Sequence, residues 1–315
     1  MHSDAHSASH PYRLAILYDP DNPEPPSNPA AMQKFLRAAA DVGLQAELIT
    51  PDDLESVAQF DGLFIRDTTY TNHYSYLFSC RAAEEGLAVI DDPDSILRCN
   101  NKALQAKLFE RHDIPTPRTM VVHRRNTRKI IPTVGLPCVL KLPDSSFSRG
   151  VVRVETESAL QQELKRMFSQ SKMIVAQEYL PTAFDWRIGI LDRQPLFVCQ
   201  YLMVEGYWQI IKHEADGTLK EGATLALPLE EAPQAAVQLA LQVANLIGDG
   251  LYGVDIKQIG ERYYVIEIND NPNVDAGNED GVAGDELYHR VMASLLQRIR
   301  QRKAGKGGTG ARTRT

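Results

Sequence analysis

The hydrophobic and polar positions of the first hundred residues switch between a strand pattern and a helix pattern. RLAILYD, LQAELIT, GLFIRD and LAVID are short apolar runs of strand type. Helical patterns stand between them, one over residues 29–42 stopped by Gly43 and another stopped by Gly86. Strand and helix in alternation predict an open parallel sheet, an α/β domain over residues 13–115. No GxGxxG follows the first strand, where DPDNPEPPSNP stands instead, so the dinucleotide fingerprint is absent. A further helix, with Asp94 or Ser95 as its cap, carries Asn101 and Lys102 to about His112, and DIPTPR then breaks the pattern.

Beyond that break, TMVVH, CVLKL, VVRVE, a helix over residues 157–170 and MIVAQEYL predict a small α+β lobe over residues 116–184. DWRIGI and PLFVCQYLMV form a hairpin that opens a larger antiparallel lobe over residues 185–302. This lobe also holds a helix from Ala235 to Ile247 and a last helix from about Asp285. The Ser/His-rich residues 1–12 are expected to be disordered, with no metal assigned to His2, His6 and His10. Residues 303–315, Gly-rich and basic, are expected to form a flexible solubilising tail, with polyanion contact as the alternative.

Within the larger lobe, GLYGVDIKQIGERYYVIEIND (residues 250–270) predicts a hairpin turning at Gly260-Glu261, with Asp255 opposite Glu267 and Gly253 opposite Asn269. Val254, Ile256, Ile266 and Ile268 would share the apolar face. Opposed like charges cost a strand pair up to about 1 kcal/mol, so the pairing makes sense around a hard divalent cation, with Asn269 adding an oxygen. The plainer alternative is a solvated face on which Lys257 neutralises Asp255.

Three further segments carry candidate chemistry. Lys141 lies within the apolar CVLKLP, where an ammonium calls for an anionic partner such as phosphate. It is followed at once by DSSFSRGV, a Ser/Gly loop able to close backbone N–H groups over phosphate oxygens. Glu178 and Leu180 end an apolar strand, where a carboxylate and main-chain groups could read an adenine amino edge. Asp185 and Arg187 share one side of a strand, suited to ribose hydroxyls and to phosphate, or else to a surface ion pair.

Composition narrows the function classes. At 315 residues, 43% hydrophobic and 24% charged, the chain can bury a large core, and its net charge of −7 argues against general nucleic-acid binding apart from the basic tail. Cys80, Cys99, Cys138 and Cys199 have no CxxC spacing, which predicts a reducing, cytoplasmic setting. The start lacks the apolar core of a signal peptide, and no apolar run approaches the roughly 20 residues of a membrane span.

Taken in order, these segments resemble the ATP-grasp carboxylate–amine ligases, most closely the RimK-like branch that includes ribosomal-protein glutamate ligases, over residues 13–300. The resemblance implies an α/β and α+β fold, an N-terminal open parallel-sheet domain followed by a two-lobed ATP-grasp domain. It assigns Lys102 and Lys141 as nucleotide-binding lysines, and Ser145, Ser146, Ser148, Arg149 and Gly150 to the phosphate loop. Gln177, Glu178, Tyr179 and Leu180 match the adenine hinge, Asp185 the ribose carboxylate and Arg187 the phosphate arginine. Asp255, Glu267 and Asn269 match ligands of magnesium, with manganese as the alternative.

The branch usually follows its metal motif with a small residue, Ser and Pro, where this chain has Asp270, Asn271, Asn273, Asp275, Glu279 and Asp280. A different acceptor pocket is therefore expected. WQIIKH replaces the usual Arg/Asn segment, so Lys212 stands in for a phosphate-contacting, catalytic arginine, and His213 has no counterpart. The implied activity is ATP- and magnesium-dependent amide formation through an acyl phosphate, adding an amino acid such as glutamate to a peptide, protein or small amine. A peptide-natural-product ligase or macrocyclase and a non-catalytic ATP-binding regulator are the alternatives. Homodimers or homotetramers occur in the branch. Arg66, His73 and Tyr74, after a strand of the first domain, are expected to serve either as substrate contacts or in the core.

Overall fold

The computed structural model describes residues 12–145, 148–214 and 216–309, with side chains to residue 305. The first apolar runs become β1 (Tyr12–Leu17), β2 (Leu44–Ile49), β3 (Gly62–Ile65) and β4 (Ala88–Ile90), a parallel sheet ordered β2-β1-β3-β4. Helices α1 (Pro29–Asp41), α2 (Tyr74–Glu84), α3 (Pro93–Cys99) and α4 (Lys102–Arg111) accompany it. The start of α1 is fixed by Asn28, whose side chain accepts from the Ala31 N–H at 2.9 Å, and by Pro29 in the first turn. The single helix expected from Asp94 or Ser95 to about His112 is two: Asp92, two residues before Asp94, caps α3, and Asn101 caps α4 directly before Lys102.

A second, antiparallel sheet contains β5 (Thr119–Val122), β6 (Cys138–Lys141), β7 (Val151–Val154) and β8 (Ile174–Glu178) in the order β5-β8-β6-β7. Helices α5 (Ile130–Val134) and α6 (Glu157–Met167) accompany it, Leu160, Leu164 and Met167 of α6 joining its core. The third sheet is antiparallel and five-stranded. Its strands are β9 (Phe184–Leu191), β10 (Gln194–Leu202), β13 (Thr224–Leu227), β14 (Leu251–Ile259) and β15 (Arg262–Asp270), ordered β13-β10-β9-β14-β15. A short ribbon of β11 (Ile211–His213) and β12 (Leu219–Glu221) lies between β10 and β13 in the chain. Helix α7 (Gln234–Ile247) buries Ala236, Ala240 and Val243 against Ile188, Val254 and Ile268 of one sheet face.

The opposite face of this sheet is divided along its strands. At one end Leu191 and Leu251 enter a core shared with β1, β3, α1 and the last helix, α8 (Asp285–Thr309), where Tyr288 meets Phe35 edge-to-face at 4.7 Å. At the other end stand Asp185, Arg187, Asp255 and Lys257. The sequence grouped the last helix with the larger lobe; its apolar side instead closes the first sheet as well. It also runs to Thr309, past residue 303 where a flexible tail was expected, so residues 303–309 are helical. The expected disorder of the first residues falls outside the described residues up to residue 11. Among the described residues no helix is long and apolar enough to cross a membrane, and all four cysteines are free.

One irregularity sets the site. The turn at Gly260-Glu261 pairs Ile259 with Arg262, a register that, continued without interruption, would set Asp255 opposite Ile266. A bulge after Asp255 inserts one residue into β15, so that Asp255 faces Glu267 and Gly253 faces Asn269, as expected. The correction concerns Ile266. It leaves the apolar face for the cleft, and Val265 fills the core beside Ile256 and Ile268.

Candidate functional site

Because β14 lies between β9 and β15, Arg187, Asp255 and Glu267 stand abreast on three neighbouring strands. Arg187 forks onto Asp255, Nε to Oδ1 at 2.5 Å and Nη2 to Oδ2 at 2.9 Å; burial lowers its pKa, but Asp255 foremost outweighs this and the pKa is raised. Gly253 leaves room for this arginine, since a Cβ there would stand 3.0 Å from Arg187 Cδ and 2.7 Å from Pro272 Cβ. Lys102 reaches Glu267 at 3.3 Å and donates to the Ser145 carbonyl. Burial pushes the Glu267 carboxyl up, but Lys102, Lys141 and Arg187 outweigh it and hold the group at about 2. Asn269 donates to Asp255 Oδ2 at 3.3 Å.

Among the described residues no three His, Cys, Asp or Glu side chains form a metal cluster. Asp255, Glu267 and Asn269 are two carboxylates and an amide. This all-oxygen donor set on one face suits a hard divalent cation.

Two adjoining cavities meet at these residues, with Lys102, Ser145, Ser148, Asp255 and Glu267 lining both. The first runs between the second and third sheets, past Lys141, the strand end Gln177 to Leu180, and Asp185. Lys141 is 7% exposed, and its burial lowers the ammonium pKa to about 8. Gln177 donates to Thr119 Oγ1 at 3.0 Å. Lys257 neutralises Asp185, at 2.6 Å, rather than Asp255 as the plainer reading had it. Asp185 and Arg187 accordingly do not pair with each other.

Several expected contacts are redirected. Both Glu178 oxygens accept from Arg118, each at 3.0 Å, which lowers the Glu178 pKa, and the Glu178 N–H donates to the Arg118 carbonyl at 2.8 Å. Ser148 and Gly150 take positive φ in the loop, but Arg149 turns outward to Glu24 at 2.7 Å; Ser146 lies outside the described residues. Lys212 lines neither cavity. On the β11–β12 ribbon its ammonium pairs with Glu214 at 2.7 Å, so the phosphate-contacting role expected of it is not supported by its position. Arg66, His73 and Tyr74 hold structure together. Arg66 is fully buried and donates to Ser27, the Pro26 and Pro272 carbonyls and Asn271; His73 caps α2, and Tyr74 donates to Asp67.

The second cavity extends from Asn269 towards the first sheet, past Thr69, Asp270, Asn271, Asp275 and Glu279. Tyr201 spans it, its ring 4.9 Å from the Arg187 guanidinium and its hydroxyl donating to Glu279 at 2.5 Å. Asp280 does not line it and is paired with Lys34 at 2.6 Å.

A family model described as a RimK-like ATP-grasp domain matches residues 99–283, over half of the chain. The chain belongs to the RimK-like ATP-grasp family. An alpha-aminoadipate–LysW ligase, LysX, of Saccharolobus solfataricus is 28% identical over 219 residues, 67% of this chain and 75% of that protein. A probable alpha-L-glutamate ligase of Vibrio vulnificus is 26% identical over 261 residues, 80% of this chain and 83% of that one. In fold the chain is similar to a RimK-domain ATP-grasp protein of Sphaerobacter thermophilus, with a TM-score of 0.68 at 19% identity covering 90% and 99% of the two chains. It is also similar to D-alanine–D-alanine ligase of Bacillus anthracis, with a TM-score of 0.67 at 16% identity covering 93% and 99%. This RimK-like ATP-grasp protein is an ATP-dependent carboxylate–amine ligase.

Sequence reasoning missed several residues at the RimK-like cleft, Ile266, Trp208 and Ile210 among them. Ile266 reaches it only through the bulge. Trp208, which meets Tyr179 edge-on at 5.9 Å, and Ile210 reach it from an irregular loop with no periodic signal. Arg118 stood beside the recognised break without a pattern of its own.

Proposed function

We propose that this ligase uses ATP and magnesium to activate a carboxylate as an acyl phosphate. It would then join the activated group to an amine, adding an amino acid such as glutamate to a peptide, protein or small amine in the cytoplasm. The observation that carries the reading is the row Arg187–Asp255–Glu267 at the junction of two cavities, one suited to a nucleotide and the other to the joining partners. Residues 116–184 and 185–302 are proposed as the two lobes around the nucleotide, and residues 13–115 as the preceding domain.

In the first step a carboxylate oxygen attacks the γ-phosphorus of ATP; a P–O bond forms and the bond to ADP breaks. In the second, an amine nitrogen attacks the acyl carbon. The C–N bond forms, the C–O bond to phosphate breaks, phosphate leaves with the electron pair, and the nitrogen sheds its proton. Lys141 and Lys102 offset phosphate charge from the side of the second sheet and α4, and Arg187 does so from β9. Asp185 accepts from ribose hydroxyls, and main-chain groups at residues 178–180 meet the adenine edge. Ser145, Ser148 and Gly150 carry the loop that excludes water from the acyl phosphate. Asp255, Glu267 and Asn269 would hold magnesium, which supplies charge neutralisation between the phosphates.

The test is incubation with ATP, magnesium and a panel of carboxylates, with hydroxylamine as the trap. ADP together with the hydroxamate of one carboxylate is expected, and Glu267→Ala should abolish both while its thermal transition persists. AMP in place of ADP overturns the acyl-phosphate step. Near-normal turnover by Glu267→Ala overturns the metal assignment.

A further inference from the structure

The two cavities differ in how their carboxylates are balanced. On the nucleotide side each has a basic partner: Glu178 has Arg118, Asp185 has Lys257, Asp255 has Arg187 and Glu267 has Lys102. Beyond Asn269 the pattern stops. Asp270, Asp275, Glu279 and Glu221 line the second cavity, and none of them enters an ion pair among the described residues. Asp270 and Glu279 are 6% and 3% exposed. Asp270 Oδ1 accepts from Asn100 at 3.1 Å, while Oδ2 is buried without a hydrogen-bond partner.

Buried carboxylates without a cation are costly, and a fold that pairs every one at one end of a cleft leaves those at the other end to be satisfied by something else. Hydrogen bonds account for part of it. Glu279 accepts from Tyr201 and from the Asp275 N–H, and Asp275 accepts from the Asn28 N–H. Arg66 lies beneath the floor, but its donors go to neutral oxygens and its single charge cannot offset both buried carboxylates, Asp270 and Glu279, beside the half-buried Asp275 and the exposed Glu221. Burial, with Glu221 beside Asp275 and Asp275 beside Glu279, pushes both carboxyls up, a condition that a bound cation relieves.

We infer that the second cavity binds an acceptor amine bearing a further positive charge, a diamine or a basic amino acid, whose distal ammonium sits among Asp275, Glu279 and Asp270. This deepens the ligase reading and rests on it. The reacting amine points to the junction near Arg187, and the distal ammonium lies at the far end of Tyr201, next to Glu279. An acidic amine such as glutamate would bring carboxylates into a cavity whose only lining cations among the described residues, Lys102 and Arg187, are already paired. Glutamate then belongs on the activated side of the reaction, not the accepting side.

Calorimetric titration of the full chain, first with ADP and magnesium and then with 1,4-diaminobutane, L-ornithine or L-glutamate, tests this. The diamine and ornithine should bind at least about tenfold more tightly than glutamate, and Asp275→Asn or Glu279→Gln should each weaken diamine binding by about tenfold. Equal or tighter glutamate binding overturns the inference, as does diamine affinity unmoved in both folded variants. Failure to bind ADP in the first titration would instead sink the ligase reading on which the inference rests.

Discussion

Lys141 carries its ammonium on β6 among residues that are all buried. Burial, with Lys102 and Lys257 adding to it against the pull of Glu267, lowers its pKa to about 8 from the 10.5 of an ordinary lysine. Between those values the unfolded chain holds a proton that the folded chain has released, so this group makes folding stability rise with pH across that window. A bound polyphosphate acts in the opposite sense, since it favours the ammonium. ADP affinity should therefore change little below about pH 7 and fall above about pH 8, by at most about tenfold per unit, with proton uptake on binding. Lys141→Met should bind more weakly and lose that dependence. Titrations from about pH 7 to 9 in buffers of different ionisation enthalpy measure both quantities. A flat wild-type profile without proton uptake would remove Lys141 from the phosphate contacts. Lys212 gives the contrasting case, a lysine of the right type at the right distance along the chain that pairs instead with Glu214.

At the scale of elements the hairpin of β14 and β15 shows what was legible in the sequence and what was not. Gly260-Glu261 marked the turn, and the carboxylates at positions 255 and 267 marked the site. These two readings agree only through a bulge, because an unbroken two-residue hairpin would turn Glu267 towards α7. The sequence carries both residues that could occupy the extra position, Val265 and Ile266, and nothing in their hydrophobicity says which one turns away from the core. In the structure Val265 is 0% exposed within that core and Ile266 lines the cleft. Val265→Ala should thus lower the unfolding free energy by roughly 1–3 kcal/mol with nucleotide affinity nearly retained. Ile266→Ala should do the reverse, weakening ADP binding with a smaller loss of stability. Denaturant titration and ADP calorimetry on the two variants distinguish the cases, and the opposite ranking would mean strict alternation. Trp208 likewise has no period to announce it, whereas Lys141 stood out as a charge inside an apolar strand, and Asp185 and Arg187, each alone readable as a surface ion pair, stood out only through their order with the other segments.

At the scale of the molecule, the family match ends at residue 283, yet the helix that follows is a main element of the core joining the first sheet to the third. Leu287, Tyr288, Val291, Met292, Leu295, Leu296 and Ile299 are buried against Phe35, Phe64, Leu196 and Leu251. Ile299 packs directly on the Gly62 backbone, its Cδ1 2.9 Å and the Ala88 carbonyl oxygen 3.1 Å from where a Cβ would stand. Seven such side chains, at about 1.5–3 kcal/mol each and taken as an upper bound, contribute on the order of the whole stability of a domain. A chain ending at Gly284 should therefore lose the protected fold of residues 12–115, although every residue of that unit is retained. Asp275 and Glu279 should become mobile with it, since Pro26 and Asn28 hold that segment through the Val274 N–H and the Asp275 side chain. Hydrogen exchange on the two lengths checks this, with a chain ending at Gly305 as the control expected to behave like the full protein. Persistent protection of β1 and β3 without the last helix would make the first sheet self-sufficient. The second cavity would then be built on an independent domain rather than on one the end of the chain must complete.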